Sequence, residues 1–144
     1  MPTEERALIR LSLPSKGRLA EDSFQLLEEC GLKIYKPNPR QYAATIPALP
    51  GLVVLFQRPG DIVSSVRDGS VDFGITGLDV IEERRGDTGQ ILILHDDLRF
   101  GGCSLRLAVP ESWTNVAGMS DLKTYVDGLK RPIRVVTKYP TLTA

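Results

Sequence analysis

Histidine and cysteine are scarce in this sequence, and their scarcity excludes a good deal of chemistry. His95 is the only histidine among 144 residues. A nucleophilic triad or a histidine-rich metal site would rest on that one side chain, which closes an apolar run and reads as a strand-end residue without a catalytic role. Cys30 and Cys103 are the only cysteines. They form no CxxC pair, so they specify neither a zinc site nor a disulfide framework. Cys30 is expected on the buried side of a helix, where a reduced thiol packs as a small apolar group. Neither sign of charge is in excess: 18 Lys and Arg balance 18 Asp and Glu. That leaves no electrostatic footprint for nucleic acid or an anionic membrane. No apolar run approaches the roughly 20 residues that cross a bilayer. Met1-Pro2-Thr3-Glu4-Glu5 is polar and acidic, unlike a signal peptide, so a cytoplasmic protein is expected.

The most informative stretch present is LIRLSLPSKGRLAEDSFQLLEECGLKI, residues 8–34. Residues 8–13 alternate apolar and polar side chains, as a strand does. Pro14 has no N–H and is expected to end the ladder. From Leu19 the period becomes helical, with Ala20, Phe24, Leu27 and Cys30 on one face and Glu21, Asp22, Glu28 and Glu29 off it. Gly31 is placed to terminate the helix. Between strand and helix lies Ser15-Lys16-Gly17-Arg18. A glycine-bearing loop at a helix N-terminus turns backbone N–H groups toward one spot, and two cations there suit a phosphate. An ordinary loop with exposed basic residues accounts for the same pattern.

Further along, strands are expected at 32–35, 42–46, 52–56, 71–75, 91–94, 104–109 and 133–137, and helices at 61–68, 79–84 and 121–129. Gly74 inside its strand marks a close backbone approach. Residues 138–141 read as a helix start with nothing behind it. Repeated strand–helix alternation predicts an α/β fold with a mainly parallel sheet. In such sheets ligands gather at the carboxyl ends of strands. Three loops carrying glycine and charge fall there: 15–18, 57–61 and 76–79.

Four motifs in order carry a family resemblance: Leu13-Pro14-Ser15-Lys16-Gly17-Arg18-Leu19, Asp72-Phe73-Gly74-Ile75-Thr76-Gly77-Leu78-Asp79, Phe100-Gly101-Gly102-Cys103-Ser104-Leu105 and Thr137-Lys138-Tyr139-Pro140. The chain resembles ATP phosphoribosyltransferase, which opens histidine biosynthesis. That family joins N1 of the adenine of ATP to the anomeric carbon of phosphoribosyl pyrophosphate (PRPP), with Mg²⁺, and releases pyrophosphate. The resemblance implies a two-lobed architecture like that of type II periplasmic binding proteins, with the site in the cleft. It implies a first lobe over residues 1–98 and the start of a second over 99–144.

By the same resemblance Lys16, Gly17, Arg18, Arg58 and Asp61 would line the ATP side. Asp72, Thr76, Gly77 and Asp79 would form the first-lobe wall, and Gly101, Gly102 and Cys103 would mark the crossing between lobes. Asp72 and Asp79 would accept ribose hydroxyls or a metal-bound water, although Asp79 as a helix cap and Asp72 as a solvent-facing strand residue fit equally simple roles. No protein-built metal site is implied, since Mg²⁺ would travel with the substrate phosphates. A homo-oligomer, with or without a regulatory subunit, is expected.

The family continues past the Lys-Tyr-Pro motif to a later loop that holds the PRPP phosphates. The sequence therefore looks like the first part of the catalytic chain, with an incomplete second lobe and no turnover expected from it alone. A different class remains open: a non-catalytic domain of periplasmic-binding-protein type that binds a small anion or nucleotide for regulation. A purely structural α/β fragment is the third reading.

Overall fold

Residues 8–144 are described by a computed structural model; the acidic start of the chain, on which the signal-peptide expectation rests, lies outside the described residues. The chain divides into two compact units. One runs up to Gly102 and takes in Tyr139–Ala144; the other is Cys103–Lys138.

The first unit is built on strand β1 (Ile9–Pro14). It pairs in parallel with β3 (Leu52–Gln57), Leu11 opposite Val54 and Leu13 opposite Phe56, and on its other edge with β4 (Phe73–Gly74). Strand β2 (Ala43–Thr45) adds antiparallel to the outer edge of β3, giving the order β2-β3-β1-β4. The mainly parallel α/β sheet expected from the alternation is present.

Both faces of β1 are covered, so the simple apolar-in, polar-out reading holds on only one of them. Leu11 and Leu13 join Val54, Phe56, Ala44, Ile46 and Leu27 in one core, against helix α1 (Arg18–Glu29). Phe24 meets Phe56 edge-on, with ring centroids 5.7 Å apart. Burying each large apolar side chain contributes about 1.5–3 kcal/mol. On the opposite face Ser12 is also fully buried. Helix α2 (Pro59–Arg67) buries Ile62 and Val63. Gly74 is required there: a Cβ would lie 2.6 Å from Ile62 Cγ2 and 3.0 Å from the Ser12 carbonyl. Helix α3 (Leu78–Arg84) follows β4.

Several expectations are corrected. Pro14 stays within β1. Its neighbour Ser15 donates its N–H to the Gln57 carbonyl at 2.9 Å, so the N–H that Pro14 lacks would point to the other edge, where pairing with β4 has already ended. Cys30 is exposed, because it is the C-cap of α1 and lies past the core-facing stripe. Gly31, at φ 77°, closes the helix as expected, with the Leu32 N–H reaching the Leu27 carbonyl at 2.8 Å. Residues 32–35 are not a strand, since only Tyr35 bridges, to Thr45; Leu32 and Ile34 use their alternation to pack on the core. Residues 91–94 are not a strand either, and Leu92 and Leu94 are 80% and 79% exposed. Helix α2 starts earlier than expected because Pro59, with φ already helical and no N–H to satisfy, takes its first turn.

The second unit holds one helix, α4 (Met119–Asp127). Leu122 is buried, and Trp113 stacks on Tyr125 at 4.3 Å. The Asp121 carboxylate caps the helix by accepting the Ala117 and Gly118 N–H groups, each at 3.1 Å. Residues 104–109 and 133–137, expected as strands, join no ladder. Alternation says which side chains share a face, but a strand exists only where another backbone satisfies its N–H and C=O groups. After Lys138 the chain forms a single turn, α5 (Pro140–Thr143), where only a helix start was foreseen.

Candidate functional site

The parallel strands of the first unit release their chains on one side of the sheet, and hydrogen bonds tie the three exit loops together there. Loop 15–18 is fastened to the end of β3 by the Ser15 N–H on the Gln57 carbonyl. Loop 76–79 is fastened to the start of α2, where the Thr76 hydroxyl donates to the Pro59 carbonyl at 3.1 Å. The Ile75 N–H, just before it, reaches the Ser12 carbonyl of β1 at 3.0 Å. The three loops singled out in the sequence therefore form one rim.

Gly17 takes φ 81° and is the N-cap of α1. A residue with a side chain would be strained at that angle, and the first N–H groups of a helix have no acceptor of their own. Lys16 and Arg18 are exposed on either side. Arg18 is 90% exposed at its side chain and stands 3.8 Å from Asp22, a contact too long and too solvated to hold it. Arg58, the N-cap of α2, is exposed, and so is Asp61 in its first turn. A fourth cation joins them that sequence reasoning missed. The Arg84 guanidinium lies so close over Gly60 that a Cβ there would fall 2.7 Å from its Cζ. The Arg84 carbonyl in turn accepts from the Arg67 guanidinium at 3.0 Å. Gln57 was missed as well. Its side chain accepts the Ser12 hydroxyl at 2.7 Å and donates to Ser65 at 2.9 Å. A glutamine at the end of an otherwise apolar run was the available signal.

Other expected site residues stand elsewhere or have other partners. Asp72 precedes β4, beside Arg10, on the entry side of the sheet rather than the rim. It accepts the Arg10 backbone N–H at 2.7 Å and its guanidinium at 3.2 Å, while Arg10 also reaches the Gly69 carbonyl. The Arg10 side chain and backbone hold the Asp72 carboxyl below its ordinary value. Asp79 accepts the Tyr139 hydroxyl at 2.7 Å. Gly77 is the N-cap of α3, and a Cβ on it would overlap Asp79 Oδ1. Gly101 touches the start of α1, a Cβ there lying 3.2 Å from Leu19 Cδ1, whereas Gly102 has open space around it. Cys103 is exposed and belongs to the second unit.

Among the described residues no group of three or more His, Cys, Asp or Glu is arranged to hold a metal. A depression of about 490 Å³ beside α3 is lined by Leu78, Glu82, Ile93, Leu94, His95 and Asp96. Its two carboxylates have the wrong sign for a polyphosphate, so the rim is the better anion site.

A family model described as HisG: ATP phosphoribosyltransferase matches residues 58–144, more than half of the chain. ATP phosphoribosyltransferase 2, chloroplastic, of Arabidopsis thaliana is 44% identical over 95% of this chain and 34% of its own length. The ATP phosphoribosyltransferase of Bradyrhizobium sp. (strain ORS 278) is 37% identical over 92% of this chain and 42% of its own. That of Chelativorans sp. (strain BNC1) is 38% identical over 94% of this chain and 61% of its own. The chain thus spans between a third and three fifths of the length of these relatives. A solved ATP phosphoribosyl transferase (HisG:HisZ) complex from Thermotoga maritima aligns at 25% identity over 56% of this chain and 37% of that one, with a TM-score of 0.45. The sheet topology above rests on this chain's own pairings. The resemblance read from the four motifs is borne out by the family match and the relatives: the chain belongs to the ATP phosphoribosyltransferase family.

Proposed function

We propose that this chain supplies the ATP side of the site for the reaction of its family, the first step of histidine biosynthesis, without completing that reaction alone, and that the rim is that side. N1 of adenine attacks the anomeric carbon of PRPP. The N–C bond forms as the bond from that carbon to the pyrophosphate oxygen breaks, and pyrophosphate leaves with the electron pair. No covalent nucleophile is needed. A protein assists by aligning the two partners and by neutralising charge that develops on the leaving group.

The single observation that carries this reading is the joining of three strand-exit loops into one rim bearing Lys16, Arg18, Arg58 and Arg84. Lys16 and Arg18, with the N–H groups behind Gly17, hold ATP phosphate. Arg58 and Asp61 face the nucleotide from the second loop, and Thr76 and Gly77 shape the third. Mg²⁺ held by the substrate phosphates would neutralise part of their charge, and in that mode the ion would need few protein ligands.

The finer expectations join this proposal. They are a two-lobed architecture of periplasmic-binding-protein type, lobes over 1–98 and 99–144 with Gly101, Gly102 and Cys103 at the crossing, a homo-oligomer that accepts a regulatory subunit, and a cytoplasmic setting. Titration calorimetry with ATP, AMP and PRPP, beside amino acids and oxyanions, tests the reading. Binding of ATP that falls with Arg18→Ala supports it. Binding of an amino acid or oxyanion in place of ATP would favour the non-catalytic module instead.

A further inference from the structure

Helix α3 carries two carboxylates four residues apart, Asp79 and Glu83, and both are engaged by the segment Tyr139–Ala144. That spacing puts them on one helix face. Tyr139 donates its hydroxyl to Asp79 Oδ2 at 2.7 Å. Glu83 accepts the Thr141 N–H at Oε1 and the Leu142 N–H at Oε2, each at 2.8 Å. These are first-turn N–H groups of α5, which have no acceptor within the helix. Pro140, the residue before them, has no N–H to satisfy, so one carboxylate closes that end. The other oxygen of Asp79 lies over Gly77, the N-cap of α3, where a Cβ would overlap it.

We propose that Asp79 and Glu83 are positioning residues that clasp residues 139–142 onto α3, and that the Tyr139 hydroxyl, through the Asp79 carboxylate over Gly77, sets the shape of loop 76–79. A segment 60 residues later in the chain thus decides the conformation of one third of the rim. Tyr139 bonds Asp79 directly; Glu83 secures Tyr139 by holding the turn that follows it.

The charge state of Glu83 suits this role. Its removal from water pushes its pKa up, but the Thr141 and Leu142 N–H groups and the neighbouring Arg84 more than offset this and leave it below the ordinary carboxylate value. Also charged near this helix end are Arg67, whose guanidinium lies on the Arg84 carbonyl, and the Glu82–Arg85 ion pair at 3.1 Å. At neutral pH Glu83 is therefore ionised.

The inference goes beyond the proposed reaction, and its test uses no nucleotide, so either can fail without the other. Amide hydrogen exchange is measured on the whole protein and expressed relative to intrinsic rates. The reporters are Val80 and Ile81, which donate to the Gly77 carbonyl at 3.1 Å, and Thr141 and Leu142. Tyr139→Phe is expected to speed exchange at Val80 and Ile81 about tenfold, the scale of one charge-assisted hydrogen bond. Residues of the β1–β3 pair should stay unchanged. Asp79→Asn, which keeps an oxygen to accept from Tyr139 but loses the charge, should speed exchange by less than Tyr139→Phe, whereas Asp79→Ala should match Tyr139→Phe. Glu83→Ala should release Thr141 and Leu142 together. Their protection should fall as the pH drops into the acid range in wild type but not in Glu83→Gln. Wild-type exchange at Val80 and Ile81 in Tyr139→Phe would overturn the proposal. So would an equal rise across the whole sheet, or the same acid response in Glu83→Gln.

Discussion

The buried hydroxyl of Ser12, in the middle of β1, donates to the side-chain oxygen of Gln57 at 2.7 Å. The same Gln57 holds loop 15–18 through its main-chain carbonyl and α2 through Ser65. One residue at the end of β3 thus fixes the relation of the first two rim loops. Ser12→Ala leaves the part-buried Gln57 oxygen without its donor, which costs about 1 kcal/mol, the low end for an unsatisfied polar group. Urea denaturation should show that loss. The double variant Ser12→Ala/Gln57→Leu, which removes both polar groups, should cost less than the sum of the single changes. Strict additivity would mean that the two side chains do not act as a pair.

Arg18→Ala and Arg58→Ala should weaken ATP about tenfold or more, since charge-assisted bonds contribute roughly 1.5–3 kcal/mol each. Both side chains are on the surface, so folding stability should change by no more than about 0.5 kcal/mol. Calorimetric titration beside a thermal melt separates the two effects. Unchanged ATP affinity in both variants removes them from the site.

Gly74→Ala should destabilise the first unit by about 1–3 kcal/mol, the range for overpacking, because the new methyl meets Ile62 and the Ser12 carbonyl. Gly77→Val has a different cause. Its φ of −70° is ordinary, so the damage comes from displacing the Asp79 carboxylate. In a double-mutant cycle Gly77→Val and Tyr139→Phe should be less than additive, since each breaks the same contact. Full additivity would separate the glycine from the clasp.

The Arg10–Asp72 pair gives a pH dependence whose sign is fixed. The folded-state pKa of Asp72 is depressed by the Arg10 side chain and N–H. Its contribution to stability is therefore present above the unfolded carboxylate value, about 3.9, and is lost as pH falls through the lower folded value. The stability gap between wild type and Asp72→Asn should be constant near neutrality and narrow in acid. Because Asp72 sits on the entry side of the sheet, Asp72→Asn should leave ATP affinity alone. A fall in ATP affinity with unchanged stability would return Asp72 to the site.

By itself the sequence determined what depends on neighbours within a few positions. The step from period two to period 3.6 around Pro14 to Arg18 placed β1 and α1. The apolar run 52–56 placed β3, and Gly31 ended α1 through its positive φ. The ordered motifs identified the family. Where each side chain finds its partner was decided only by tertiary structure. Asp72 and Asp79 look alike in the sequence, each a carboxylate beside a glycine-bearing turn, yet Arg10 takes one and Tyr139 the other across 62 and 60 positions. Residues 91–94 have the apolar run of a buried strand, 104–109 the alternation of a half-buried one and 133–137 the composition of one, yet none forms, because hydrogen bonding needs a second backbone that a sequence pattern cannot supply. Cys30 had the right spacing for the core and missed it by one position, since the helix ended first. Arg84 could be placed only by the packing of α3 on α2, and it is this packing that adds the fourth cation to the rim.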